Sequence, residues 1–225
     1  MKKGKVALDH IPPFREMPAG KRKDLENLAE KIDLRSRGVL FDTGGTANKV
    51  YYLVSGGLKL QRKGPNRRTY ILDFVAPGTL FGYTESLAGS SRTERAIAMQ
   101  PSTVLVLPAS KFLDAVGSSP SSAQALPHLL ASQVKTDHDR MEEGAVLNLR
   151  TRLIYLLHRL TRDFGQKVKG GTMINLKITH QDMADYLGAS RESVTVAISN
   201  MRKHKLLRLD VRRIVVFDLR QLLKS

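Results

Sequence analysis

Thr179-His180-Gln181-Asp182-Met183-Ala184-Asp185-Tyr186-Leu187-Gly188-Ala189-Ser190-Arg191-Glu192-Ser193-Val194 is the stretch that decides the fold. Thr179 and Asp182 have the spacing of a capping box, in which a hydroxyl satisfies an orphan N–H at a helix start and an acid lies three residues on. Met183, Ala184 and Leu187 then form one apolar face. Gly188 can take positive φ, so Gly188-Ala189-Ser190 reads as a tight turn between two helices. Ser190 suits the cap of the second helix. Val194, Ile198 and Met201 follow at i, i+4 and i+7 and point inward. The opposite face carries Arg191, Glu192, Thr195, Val196 and Ser199.

Two short helices and a glycine turn occur in many α-rich proteins. The residue types on the open face point further, to a helix lying in a DNA major groove. Arginine donates two hydrogen bonds to guanine, glutamate accepts from the cytosine amino group, and threonine or valine meets a thymine methyl. Thr179, Gln181 and Ser190 fall at helix N-termini, where hydroxyl, amide and backbone N–H groups suit phosphates. Ser193, one turn into the second helix, joins the candidate DNA-binding set. Arg208 to Asp218 reads as a β-hairpin wing with Arg212 and Arg213 near its turn.

Charge supports this reading. The chain has 225 residues and a formal net charge of +16. From Leu149 to Ser225 there are 16 Lys and Arg against 6 Asp and Glu, a net +10, whereas the first 148 residues carry 21 against 15, a net +6. The basic third holds the two-helix motif, and a concentrated positive field attracts polyanions.

Upstream, Val50–Val54, Leu58–Gln61, Tyr70–Val75, Ala96–Met99 and Val104–Leu107 are short apolar runs separated by Gly, Pro and Asn. That pattern predicts a β-sandwich or barrel. A helix is expected before it, around Lys23–Lys31. Ser118-Ser119-Pro120-Ser121 is a helix start signal. Leu126, Leu130, Val134, Met141, Ala145 and Leu149 then recur on one helix face. This stripe fits either a dimer seam or packing against the chain's own β-domain. Pro127 either kinks the helix or marks its true start. A second helix is expected over Leu149–Phe164 with Gly165 as its cap, then a short strand at Met173–Ile178. The organisation is α+β: residues 1–117, a long helix over 118–147, and residues 148–225.

No cysteine is present, which excludes disulfides, thiolate nucleophiles and Cys-ligated metal centres. The six histidines form no haem-binding pattern. No nucleophile–base pair, metal-ligand spacing or P-loop points to an enzyme. No secretory leader or membrane span is expected, and the expected location is the cytoplasm.

The whole arrangement resembles the cyclic-AMP receptor protein / fumarate-nitrate regulator (CRP/FNR) family. The match rests on Thr179–Gly188 and Ser190–Val194, which look like its helix-turn-helix signature. Gly44-Gly45, Val50–Gly57 and Pro77–Gly82 look like its effector-binding β-roll. The resemblance implies an N-terminal cyclic-nucleotide-binding-like β-roll (jelly-roll), a long dimerisation helix and a C-terminal winged helix-turn-helix. It also implies a homodimer, a palindromic site on double-stranded DNA and contact with RNA polymerase. Arg191 and Glu192 match the family's base readers. Val196 replaces its usual second arginine.

The effector positions implied by the family are Gly82, Tyr83, Thr84, Arg92, Thr93, Asp137 and His138, and they depart from the cyclic-nucleotide pattern. Tyr83 stands where a ribose-binding glutamate is usual. Glu94 follows Arg92-Thr93 and would repel an anion. Asp137 and His138 stand where the cyclic-AMP receptor protein has a Thr-Ser pair for adenine. The resemblance therefore implies a small-molecule effector of unknown identity, other than cyclic AMP. The competing reading is a cyclic-nucleotide or small-ligand-binding module without a gene-regulatory role, and the winged C-terminus speaks against it.

Overall fold

The computed structural model describes Leu8 and residues 14–64, 68–210 and 213–218. Two four-stranded antiparallel sheets face each other in the N-terminal half. One has the order β1-β8-β3-β6, with β1 at Glu30–Leu34, β8 at Ser102–Pro108, β3 at Lys49–Ser55 and β6 at Leu80–Phe81. The other has the order β2-β7-β4-β5, with β2 at Val39–Phe41, β7 at Arg95–Ala98, β4 at Leu58–Lys63 and β5 at Thr69–Val75.

Alternation sorts each strand's side chains between two cores. Tyr51, Leu53, Val104 and Val106 point between the sheets, against Leu58, Leu60, Val75 and Phe81. Val50, Tyr52, Leu105 and Leu107 point the other way, onto Phe14, Leu25, Phe112 and Val116. β3 and β8 are thus buried on both faces, which is why they read as unbroken apolar runs. Each such side chain contributes roughly 1.5–3 kcal/mol by leaving water. The covering helices are α1 at Ala19–Leu28 and α3 at Ala109–Val116, and a short helix α2 spans Thr84–Leu87.

The expected Lys23–Lys31 helix is displaced. It stops at Leu28, and Lys31 belongs to β1. Ile32 and Leu34 alternate onto the inter-sheet core there, so period two wins over period 3.6.

Helix α4 runs unbroken over Pro120–Val146, with Ser119 as N-cap and Pro120 in the first turn. Pro127 therefore does not start it. The stripe divides along its length. Leu126 and Leu130 pack against the chain's own roll, while Val134 and Met141 are 52% and 72% exposed.

Helix α5 spans Leu149–Phe164, as expected. Gly165 does not cap it in the left-handed conformation. Its φ is −70°, and it opens an unforeseen strand, β9 at Gly165–Val168. Glycine is needed for space instead, because a Cβ would lie 2.0 Å from Thr161 O. β10 is Gly171–Ile174, shorter than the expected Met173–Ile178 strand. The wing follows as β11 at Leu207–Asp210 and β12 at Arg213–Val216, in a sheet of order β11-β12-β10-β9. Arg212 lies outside the described residues.

Candidate nucleic-acid interface

Helices α6 at His180–Leu187 and α7 at Arg191–Lys203 form the two-helix motif. The Thr179 hydroxyl accepts from Asp182 N at 3.0 Å, and the Asp182 carboxylate accepts from Thr179 N at 3.0 Å, so the capping box is closed in both directions. Gly188 ends α6 at φ +65°, in the left-handed region where a side chain would be strained. Ser190 Oγ accepts from Ser193 N at 3.0 Å and donates to Ser193 Oγ at 2.9 Å, capping α7.

Val194, Ile198 and Met201 are essentially inaccessible and lock α7 onto α5, α6 and the wing. Arg191, Glu192 and Ser193 are exposed. Val196 is 60% exposed, which leaves its methyls on the open face. Thr195 and Ser199 are half-buried at the rim of that face. The Thr195 hydroxyl donates to Arg191 O at 2.8 Å and sits 2.9 Å from His180 Nδ1. Thr179 and Gln181 are exposed, and Gln181 donates to Asp185 at 2.7 Å. All nine candidate DNA-binding residues thus lie along α7, its cap or the start of α6.

His180 was not anticipated. Burial, assisted by the Arg191 charge, lowers its pKa, so the neutral ring supports Thr195 from α6. A second unforeseen feature is the grip of the roll on this motif. Lys59 Nζ lies 2.7 Å from Asp182, Arg68 donates to Ala189 O at 2.9 Å, and Phe74 packs on Tyr186 at 5.3 Å. The guanidiniums of Arg140 and Arg159 lie over the Tyr186 ring at 4.4 and 4.7 Å. These partners are more than a hundred residues apart in most cases, and no local pattern announces them.

The candidate effector residues divide into groups. Arg92 is 2% exposed, and its guanidinium donates to Gly82 O at 2.6 Å, to Lys49 O and to Glu85 at 3.3 Å. It also lies over the Phe41 and Tyr51 rings at 4.6 and 5.4 Å. Its Nε is buried without a hydrogen-bond partner. The Thr93 hydroxyl donates to Glu85 at 2.9 Å and accepts from Arg62 at 2.7 Å. Burial would raise the Glu85 carboxyl, but hydrogen bonds from its own backbone and from Thr93, with the Arg92 charge, hold it low. So Gly82, Arg92 and Thr93 come together around Glu85. Tyr83 is buried in the helix-covered core, and its phenol is pushed up by burial and by the Asp137 charge. Thr84, Asp137 and His138 are exposed.

Among the described residues, no group of three or more His, Asp or Glu could hold a metal ion. No described helix is long and apolar enough to cross a membrane.

The cyclic nucleotide-binding domain model matches residues 31–119, and the Crp-like helix-turn-helix domain model matches residues 151–225. The global nitrogen regulator of Synechococcus elongatus is 30% identical over 208 residues, covering 91% of each chain. The chain belongs to the CRP/FNR family of transcription regulators. The anaerobic regulatory protein of Haemophilus influenzae is 24% identical over 89% of this chain and 78% of its own. FixK2 from Bradyrhizobium japonicum superposes with a TM-score of 0.77 at 25% identity, over 86% of this chain and 95% of that one. CLP, a c-di-GMP responsive global regulator from Xanthomonas campestris, shares the fold at 18% identity and a TM-score of 0.73, over 89% of this chain and 100% of that one. This CRP/FNR member is a DNA-binding regulator, and dimers on palindromic sites are typical of the family. The family is one of regulators rather than enzymes. The competing reading, a ligand-binding module without a regulatory role, is set aside because the chain carries the family's DNA-binding half.

Proposed function

We propose that α7 reads a half-site of double-stranded DNA through Arg191, Glu192, Thr195, Val196 and Ser199, while Thr179, Gln181, Ser190 and Ser193 hold phosphates. The observation that carries this reading is the division of α7. Its buried side chains fix it rigidly, and its opposite face stays open to solvent from Arg191 to Val196. Val196 offers methyl groups where an arginine is usual, so that position favours a thymine methyl over a guanine edge.

Residues 1–117 are the sensor, 118–147 the connector and 148–225 the DNA-binding part. The exposed Val134 and Met141 seat a second copy across the connector, which gives a homodimer and a two-fold symmetric site. The regulator works in the cytoplasm and contacts RNA polymerase. A small-molecule effector other than cyclic AMP acts in the roll near Gly82, Tyr83, Thr84, Arg92, Thr93, Asp137 and His138. The Arg92 guanidinium is already committed to Glu85 and two carbonyls, which disfavours a cyclic phosphate there. An effector can shift the regulator only by its difference in affinity for two states.

The test begins with selection of a preferred duplex from random sequences. Arg191→Ala is expected to weaken binding to that duplex by roughly 1–3 kcal/mol per contact while leaving random DNA nearly unchanged. Equal losses on both would defeat the base-reading role.

A further inference from the structure

We infer that the DNA-contact surface extends beyond the helix-turn-helix onto the β4–β5 hairpin of the roll, where Arg68 and Lys63 face phosphates flanking the half-site. The inference rests on the reading of α7 as the base-reading helix. From Leu58 to Val75 the sequence carries five bases, Lys59, Arg62, Lys63, Arg67 and Arg68, and one acid, Asp73. The structure accounts for several of these charges. Lys59 is held by Asp182, Arg62 donates to Thr93, and Asp73 lies 3.6 Å from Arg159. Arg68 and Lys63 are exposed, on the same hairpin.

Arg68 has a defined place. Its Nη2 donates to Ala189 O at 2.9 Å, and its guanidinium lies over the Tyr70 ring at 5.6 Å. Ala189 directly precedes Ser190, the N-cap of α7. A sensor-domain cation is thereby fixed beside the helix end that approaches DNA. A guanidinium has five N–H donors, so the bond to Ala189 leaves the fork able to meet a phosphate. The α7 N-terminus adds its own partial positive charge, and Arg191 adds a full one. Arg68 is bonded to the residue next to Ser190, so a phosphate at that cap would feel its charge, because screening at physiological salt acts over about 8 Å. An exposed cation fixed beside an exposed helix N-terminus, with a second exposed cation on the same hairpin, matches a polyanion of regular spacing better than an acidic protein.

The experiment uses the full chain and three variants, Arg68→Ala, Arg68→Gln and Arg68→Ala with Lys63→Ala. Affinity is measured for the selected duplex and for random DNA from about 50 to about 200 mM salt. Each phosphate contact contributes about 0.9 to the slope of log affinity against log salt. The slope is expected to fall by about that amount for each contact removed, equally on both DNAs, with base preference unchanged. Arg68→Gln keeps a donor for Ala189 O but lacks the charge, so it should lose slope as Arg68→Ala does. Trimming the duplex to the bare half-sites should bring wild type to the variants' slope.

An unchanged slope overturns the inference, whether affinity drops, as for a brace, or stays, as for a surface reserved for a protein partner. Tighter binding by the variants also overturns it, since the hairpin would then restrain the DNA-binding part. A wild-type chain that selects no sequence defeats the base-reading role of α7, and the slopes on random DNA still judge the hairpin.

Discussion

Lys59 Nζ and Asp182 Oδ1 lie 2.7 Å apart across 123 residues of sequence, joining the roll to the first helix of the DNA-binding motif. The other Asp182 oxygen accepts from Thr179 N and from the Thr179 hydroxyl. One carboxylate therefore closes the α6 cap and ties that helix to the roll. Removing Lys59 leaves the cap intact, whereas truncating Asp182 loses the tie and the carboxylate half of the cap, and keeps only the bond from the backbone N of residue 182 to the Thr179 hydroxyl. Lys59→Met is expected to cost about 1 kcal/mol and Asp182→Ala about 2–3 kcal/mol. The double variant should be little worse than Asp182→Ala alone. Denaturant unfolding of the four chains checks this, and full additivity would contradict it.

Glu85 and Arg92 form an ion pair whose side chains are 9% and 0% exposed. Such a pair is hard to dismantle from one side, because the remaining charge stays buried. Glu85→Ala is expected to destabilise by about 3–5 kcal/mol. Glu85→Gln, which still accepts from Thr93, should cost less. Urea midpoints at unchanged slope read the difference, and a loss below about 1 kcal/mol for Glu85→Ala would show that Arg92 finds another partner.

Glu94 follows this pair. Burial, and next the Glu85 charge, push its pKa from the ordinary 4.5 to about 7, against the pull of Arg62 and Arg92. The fold therefore favours the protonated acid. That contribution is complete below the unfolded value and is lost as pH rises through about 7. Glu94→Gln should match wild type in acid and exceed it in melting temperature above neutrality. Melting curves from about pH 4 to about pH 9 test it, and a constant offset would exclude the titration.

Val196 lies on the open face of α7, at the position where the family resemblance implies a second base-reading arginine. Val196→Arg is expected to move the preferred base at one half-site position from thymine toward guanine, by roughly 1–3 kcal/mol. Competition among duplexes varied at single positions measures this. An identical preference profile would place Val196 away from the bases.

The two-helix motif was legible because its signals are local. Thr179 and Asp182 are three residues apart, Gly188 must turn left-handed, and Val194, Ile198 and Met201 repeat with the helical period. The β3 and β8 runs were legible for a related reason, since burial on both faces leaves no polar interruption. β9 was missed because Gln166 and Lys167 give it no apolar signature, and its pairing with β10 holds it. The Lys31 misreading came from charged residues that fit a helix surface and a strand edge equally.

By itself, then, the sequence determined which segments turn, which faces seek the interior and which helix presents arginine and glutamate outward, because each depends on residues within a few positions of one another. Only the tertiary structure decided that Arg92 is spent inside the roll, that Asp182 reaches Lys59 and that Arg68 stands at the door of α7. Those pairings join chain segments 7 to 123 residues apart. Spacing along the chain carries no information about which distant charge the packed core will bring within hydrogen-bonding reach.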